Sequence, residues 1–354
     1  MTATNLAGIV IDNSDTGDDG EHSWRPVDLG AVLSGQWKPS RPTVGRRTDG
    51  VGIFYPGKMH SVASESEGGK TWWLLGATAE ELRAGNRVLY IDFEDDEGGV
   101  VGRLLALQVA PEVIAEKFHY LRPTAPVGAP ANSDDLQRVL DIRPTLAVID
   151  GITEAMTMHG LNPLDNKDIA AFGRMLPRRL AAAGCATVCL DHVTKAADGR
   201  GRYAIGGVHK LNGIDGAAFL LEGREPFGIG LTGRSTVLIS KDRPGQLRKH
   251  GQPRKDGLCD FGELVLTSHH ASYAEFEIRP PDVTPRGSEF RPTKLMQKIS
   301  DALAKHGAMS QRQILATVGG KRDYAIDALA LLQRDAYVSL KTPHQLLRPY
   351  TGED

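Results

Sequence analysis

The chain has 354 residues, 40% hydrophobic and 24% charged, with a formal net charge of −2 at pH 7. This is the composition of an ordinary globular protein with room for one large α/β domain and a small one, and it excludes a globally basic nucleic-acid coat. No apolar run reaches membrane-spanning length, and Met1-Thr2-Ala3-Thr4-Asn5 lacks the basic-then-apolar plan of a secretory leader, so a cytoplasmic chain is expected.

The acidic, Gly/Asp-rich stretch 1–22 reads as a disordered tail, and 40–50 as a loop leading into a core domain. Strands are expected at 51–54, 58–63, 87–92, 118–121, 145–150, 186–191 and 216–221, with helices at 70–84, 99–109, 134–142 and 167–184. Short, continuously apolar runs such as Leu146-Ala147-Val148-Ile149 suit a sheet covered on both faces, and their alternation with helices predicts an α/β, doubly wound, mostly parallel sheet. Cys185 and Cys189 flank or occupy one such strand and read as core thiols; with Cys259 they form no metal-type pattern.

Between the strand at 58–63 and the helix at 70–84 lies Ser64-Glu65-Ser66-Glu67-Gly68-Gly69-Lys70-Thr71, close to the phosphate loop G-x-x-x-x-G-K-[ST] except that Ser64 replaces its first glycine. Backbone amides of such a loop wrap phosphates, Lys70 would reach the β- and γ-phosphates, and Thr71 would ligate Mg²⁺, so ATP and Mg²⁺ are the expected ligands. Trp72 and Arg103 join the expected nucleotide contacts. Asp150, closing its strand, would complete the Mg²⁺ shell opposite Thr71. Glu94, just past the strand at 87–92, is the candidate for orienting the attacking water, although an acidic loop that merely solvates a strand end would explain Asp95 and Asp96. His192 closes a fourth strand, where it could bond the γ-phosphate or its water.

Farther on, 228–232 and 235–240 read as strands of a hairpin turning at Gly233-Arg234, with further strands at 261–267 and 272–278. A linker follows at 279–292. The segment 293–354 suggests a winged helix: helices at Thr293–Lys305, Met309–Val318 and Arg322–Arg334, the last turning Tyr324, Ile326, Leu329 and Leu332 inward, then a wing from 337–340 and 345–348. Lys321 and Arg322 are its candidate nucleic-acid contacts, but many such modules only pack against protein partners.

The order Ser64–Thr71, Glu94, Asp150, His192 resembles that of RecA-fold ATPases, most of all the hexameric replicative helicases of RepA and DnaB type, over roughly residues 50–270. The resemblance implies a RecA-like ATPase domain over 23–278 that assembles into a homo-oligomer, a hexamer by analogy, with single-stranded DNA as partner and room for other replication proteins. In that family the catalytic glutamate follows the strand after the phosphate-loop helix, as Glu94 does, and Gly151 stands where many other phosphate-loop enzymes carry it. Lys241-Asp242-Arg243-Pro244-Gly245 resembles the K-x-R-x-G segment that ring helicases project into a neighbour's site; a basic turn between surface strands is the competing account. The family's channel loop corresponds to 194–213, where Lys195, Arg200, Arg202 and Lys210 would hold single-stranded DNA, with a second channel loop around 153–167. The implied function is an ATP-dependent motor on single-stranded DNA. A recombinase or helicase loader, or a nucleotide-switched DNA-binding regulator, are the alternatives.

Overall fold

The structure is a computed structural model that describes residues 26–193, 213–254, 256–281, 293–319 and 322–351. They form two compact units dividing after Arg279. The tail expected at 1–22 and nearly all of the linker expected at 279–292 lie outside the described residues.

After a short exposed helix α1 (Gly30–Leu33), a two-stranded ribbon of β1 (Val44–Arg46) and β2 (Gly52–Phe54) leads into the main sheet. Five strands alternate with helices: β3 (Met59–Ser64), α2 (Lys70–Arg83), β4 (Val88–Asp92), α3 (Glu97–Ala106), α4 (Pro111–Lys117), β5 (Phe118–Leu121), α5 (Pro130–Asp141), β6 (Leu146–Asp150), α6 (Ile152–Met158), α7 (Asn166–Met175), α8 (Pro177–Ala182) and β7 (Ala186–His192). With β8 (Ala217–Glu225) they form a parallel array in the order β8-β3-β7-β6-β4-β5. Beyond β8 the ten-stranded sheet turns antiparallel through β9 (Thr232–Asp242), β10 (Gln252–Pro253), β11 (Cys259–His270) and β12 (Tyr273–Arg279).

Both β4 and β6 are buried at every position, and their side chains alternate between two core layers as the pleat dictates. Val88, Tyr90, Leu146 and Val148 face α2–α4 around Trp73 and Leu74; Leu89, Ile91, Ala147 and Ile149 face α5–α8 around Leu136, Phe172 and Leu180. Trp73 anchors the first layer, its ring 5.1 Å from Phe219 and 5.8 Å from Phe54. All three cysteines are buried and free. His60, on β3, is wholly buried: its Nδ1 accepts from Ala217 N at 3.0 Å, leaving Nε2–H to donate to the Tyr55 carbonyl at 3.1 Å. Burial pushes its pKa down to about 4, so the ring is neutral in the folded protein.

Several expected elements fall differently. The hairpin does not turn at Gly233-Arg234, because β9 runs straight through both; the reversal lies at 226–231, so 228–231 is turn rather than strand. Gly233 pairs with Leu266 of β11, and Arg234 with Val265 of β11 and Glu225 of β8, which holds both extended. The helix expected over 167–184 breaks at Leu176-Pro177, where proline can begin a helix but cannot supply the amide that continues one. The loop expected at 40–50 contains β1, and α4 was not anticipated. Within the expected second channel loop, 153–167, α6 occupies 153–158 and α7 begins at Asn166.

The second unit packs α9 (Thr293–His306), α10 (Gln311–Val318) and α11 (Arg322–Arg334) around Met296, Ile299, Leu303, Ile314, Leu329, Leu332 and Tyr350. Ser310 and Gln313 close a reciprocal capping box at the start of α10. Isolated bridges join Met309 to His344 and Val338 to Leu346. Tyr324, expected inside, is 46% exposed; Ala325 and Ala328 take the inner face instead.

Candidate nucleotide site

The parallel order places β3, β7, β6 and β4 side by side, and their carboxyl ends bring Ser64, His192, Asp150 and Asp92 to one edge of the sheet. Open α/β sheets bind ligands at that edge. The loop 65–69 leaves β3 there. Ser64 is buried and its Oγ donates to Glu65 O at 2.6 Å; Ser66 and Glu67 are exposed, with Glu67 at φ 62°; Gly68 N closes a turn onto Glu65 O at 3.1 Å. Gly69 begins α2 at φ 89° with no side-chain cap, so the first amides of the helix keep no acceptor from a capping side chain. A side chain at Gly69 is excluded twice, by its φ and because a Cβ there would lie 2.6 Å from the Phe227 ring.

Lys70 is only 7% exposed, and its Nζ lies 3.3 Å from His192 Nε2, which in turn lies 3.4 Å from Glu94 Oε1. Depending on tautomer, Nε2 accepts from Lys70 or donates to Glu94. Thr71 Oγ1 donates to Asp150 Oδ2 at 3.3 Å, and the same oxygen accepts the Tyr90 hydroxyl at 2.7 Å. The other oxygen, Oδ1, is buried with no hydrogen-bond partner among the described residues. Burial is the main reason the Asp150 pKa rises to about 6; the Glu94 charge adds to the rise, while Tyr90 and Lys70 oppose it. A buried oxygen that lacks a donor, beside a threonine hydroxyl at a helix N-terminus, suits a divalent cation. Among the described residues no cluster of three or more His, Cys, Asp and Glu could hold a metal. A Mg²⁺ here would therefore draw on Thr71 and Asp150 and take its other ligands from phosphate and water, as Mg²⁺ commonly does.

Glu94 is set by two features that spacing alone did not reveal. Asp92 is fully buried and accepts the Glu94 and Asp95 amides on Oδ1 and the Tyr120 hydroxyl on Oδ2, so it holds the turn rather than facing ligand. Gly151, at φ 86°, lies beneath Glu94: a Cβ there would be 2.7 Å from Glu94 Cγ. The vacancy next to Asp150 is thus the space that Glu94 crosses. Arg103 is paired with Asp95 at 2.8 Å and lies over the Trp72 ring at 5.9 Å, which puts both expected nucleotide contacts on one flank of the loop. Sequence reading missed Tyr90, Asp92 and Ser235, whose Oγ donates to Gly68 O at 2.9 Å. Tyr90 and Asp92 do stand two apart on a strand, but the register bringing Asp92 opposite Asp150 is a tertiary fact.

Lys241 and Arg243 lie elsewhere. The pairing of Asp242 with Ala217, and of Leu221 with Ser64, puts them at the opposite edge of the sheet from the loop. Four residues along β8 and two strand spacings separate Asp242 from Ser64, roughly 16 Å, more than an arginine side chain spans. Lys195, Arg200, Arg202, Lys210 and Lys321 lie outside the described residues; Arg322 begins α11.

Residues 39–198 match the model of a family described as an AAA domain. The match covers a little under half of the chain. It takes in the loop, Glu94, Asp150 and His192 and stops before β8. No curated protein matches the chain. The matched domain and its mostly parallel sheet support an ATP-hydrolysing phosphate-loop enzyme.

Asp150 carries a testable thermodynamic signature. Its folded pKa lies above the ordinary carboxyl value, so the ionised form weakens the fold; the penalty is full above about pH 6 and is relieved as pH falls toward 4. Asp150→Asn should therefore stabilise the protein without nucleotide or Mg²⁺ by roughly 2–3 kcal/mol at pH 7.5, with the gain vanishing near pH 4. Denaturant unfolding at the two pH values checks this. A destabilised variant at pH 7.5, or a gain unchanged by pH, would show that Asp150 is not held in its charged form against a desolvation penalty.

Proposed function

We propose that this chain is an ATP-driven motor on single-stranded DNA, a hexameric replicative helicase of the RepA and DnaB kind, whose ATPase sites are completed between neighbouring protomers. The observation carrying the ATPase part is the meeting of Lys70, Glu94, Asp150 and His192 at the ends of four adjacent strands.

In this reading the amides from Gly68 into the first turn of α2 bind the phosphates, and Lys70 leaves His192 to balance the charge between β- and γ-phosphate. Thr71 and Asp150 hold Mg²⁺, which when bound neutralises charge on the phosphate oxygens. Glu94, braced by Asp92 and Gly151, orients and polarises the attacking water. His192, 3.4 Å from Glu94, is placed to sense whether the γ-phosphate is present and to pass that state into the segment after β7. Lys195, Arg200, Arg202 and Lys210 in that segment contact the DNA backbone. Trp72 and Arg103 flank the nucleoside.

The far-edge placement of Lys241 and Arg243 supports their acting in a neighbour's site, since neither reaches the loop of its own chain. There they stabilise charge on the transferred phosphoryl group. The three helices and paired segments of the second unit support a winged-helix module that meets duplex or fork DNA, with Lys321 and Arg322 as its expected contacts.

The direct test is ATP turnover with and without single-stranded DNA, paired with a sizing run in ATP. Many-fold stimulation by single strands, an ATP-dependent oligomer and unwinding of a forked duplex are expected; turnover indifferent to DNA would favour a nucleotide-switched regulator. Glu94→Gln should retain ATP binding and lose about two to four orders of magnitude in turnover. A mild effect there with a severe one at Asp95 would assign the water to the wrong acid. Arg243→Ala should bind ATP normally but turn over poorly, and mixing it with Lys70→Ala should restore some activity, because a Lys70-intact site can then face an Arg243-intact neighbour. Full activity of Arg243→Ala alone would falsify the shared site.

A further inference from the structure

Asp242 stands between Lys241 and Arg243, where pairing with a neighbouring cation would be the simple expectation, yet both its oxygens are turned into the protein. Oδ1 accepts the Tyr55 hydroxyl at 2.8 Å and Gly245 N at 3.1 Å; Oδ2 accepts Leu247 N at 2.8 Å and Arg248 N at 3.3 Å. The Tyr55 hydroxyl also accepts Gln246 N at 3.1 Å. Arg243 N donates to Gly216 O at 3.0 Å, which ties the turn to the chain entering β8. The segment 242–248 is thus held at both ends and through its middle. The Arg243 side chain is exposed, with no hydrogen bond or ion pair among the described residues.

Tyr55 is the member of this network rooted in the core. It is fully buried, its ring stacks on His60 with centroids 5.8 Å apart and planes 3° from parallel, and its own carbonyl accepts from His60. Burial, reinforced by Asp242, pushes the phenol pKa well up, so the hydroxyl keeps its proton and donates. A carboxylate that takes three amides and one hydroxyl is saturated and fixes the backbone around it.

We propose that Tyr55 is a positioning residue for Arg243: through Asp242 it presets the turn, so that the guanidinium is presented to the neighbouring protomer's phosphates without being ordered at each turnover. This rests on the shared-site reading. Ordering the arginine in advance matters because a charged group aids a transition state only if its geometry is already right, and small displacements far from the chemistry cost rate rather than binding.

The test is a double-mutant cycle in the full chain, with ATP, Mg²⁺ and an oligo-dT single strand. Tyr55→Phe keeps the ring on His60 and removes only the hydroxyl. It should lower kcat by about 10- to 100-fold while binding of a non-hydrolysable ATP analogue stays within about twofold of wild type. In the Arg243→Ala background the same change should have no further effect on the residual turnover, since the residue it positions is gone. Asp242→Asn, which leaves Tyr55 whole and takes one acceptor oxygen from the turn, should behave alike and serves if Tyr55→Phe does not fold. Wild-type kcat in Tyr55→Phe beside an inactive Arg243→Ala overturns the proposal and leaves the shared site standing. An equal loss in both backgrounds also overturns it, marking a general defect of the fold. Full activity of Arg243→Ala removes the shared-site reading itself, and the proposal with it.

Discussion

A buried carboxylate with one oxygen satisfied and the other bare is the constraint on which the rest of the site depends. Asp150 is 3% exposed, held by Tyr90 from β4 and by Thr71 from α2, and its second oxygen finds no donor among the described residues. A protein interior tolerates such a group only when the surroundings enforce it. Here the enforcement comes from β6, buried along its whole length and paired on both sides, which delivers Asp150 to the sheet edge with no freedom to turn toward water. On the proposed reading, stability given up at this point is a reserve on which a bound cation and phosphates would draw.

The same sheet explains why the chemistry can be spread over the chain. Ser64, Glu94, Asp150 and His192 are distant in sequence, and each lies at or just past a strand end. In a parallel array those ends fall on one edge whatever the helices between them do. The opposite edge is used as well: Lys241 and Arg243 come to it because β9 runs against β8. On the proposed reading one sheet carries the phosphate site on one rim and cations on the other, an arrangement suited to copies stacked head to tail.

That much was legible because it lies in local pattern. Continuous apolar runs marked β4, β6 and β7, and the loop motif marked the start of α2. What was hidden depends on partners distant in the chain. Gly233-Arg234 has the composition of a tight turn and is strand because β11 pairs with both residues and β8 with Arg234. Pro177 did signal a break, but the helical pattern on either side of it read as continuous. Asp92 and Asp95 could not be told from Glu94 by composition; only the turn, with Asp92 bound to two amides and a tyrosine, separates support from ligand-facing acid. Tyr55 gave no signal at all, since its partner lies 187 positions away.

The contact of Glu94 over Gly151 also limits the routes by which such a site can change. A carboxylate placed directly after Asp150 and one reaching over from β4 would compete for the same volume, because a side chain at Gly151 collides with the Glu94 stem and the left-handed backbone there resists any Cβ. Moving the acid from one strand to its neighbour therefore cannot proceed by single substitutions through working intermediates. Either the first change displaces the existing acid before its replacement is aligned, or the loss of Glu94 comes first and leaves none. The glycine after Asp150 and the acid on β4 are thus one packing choice, to be exchanged together or not at all.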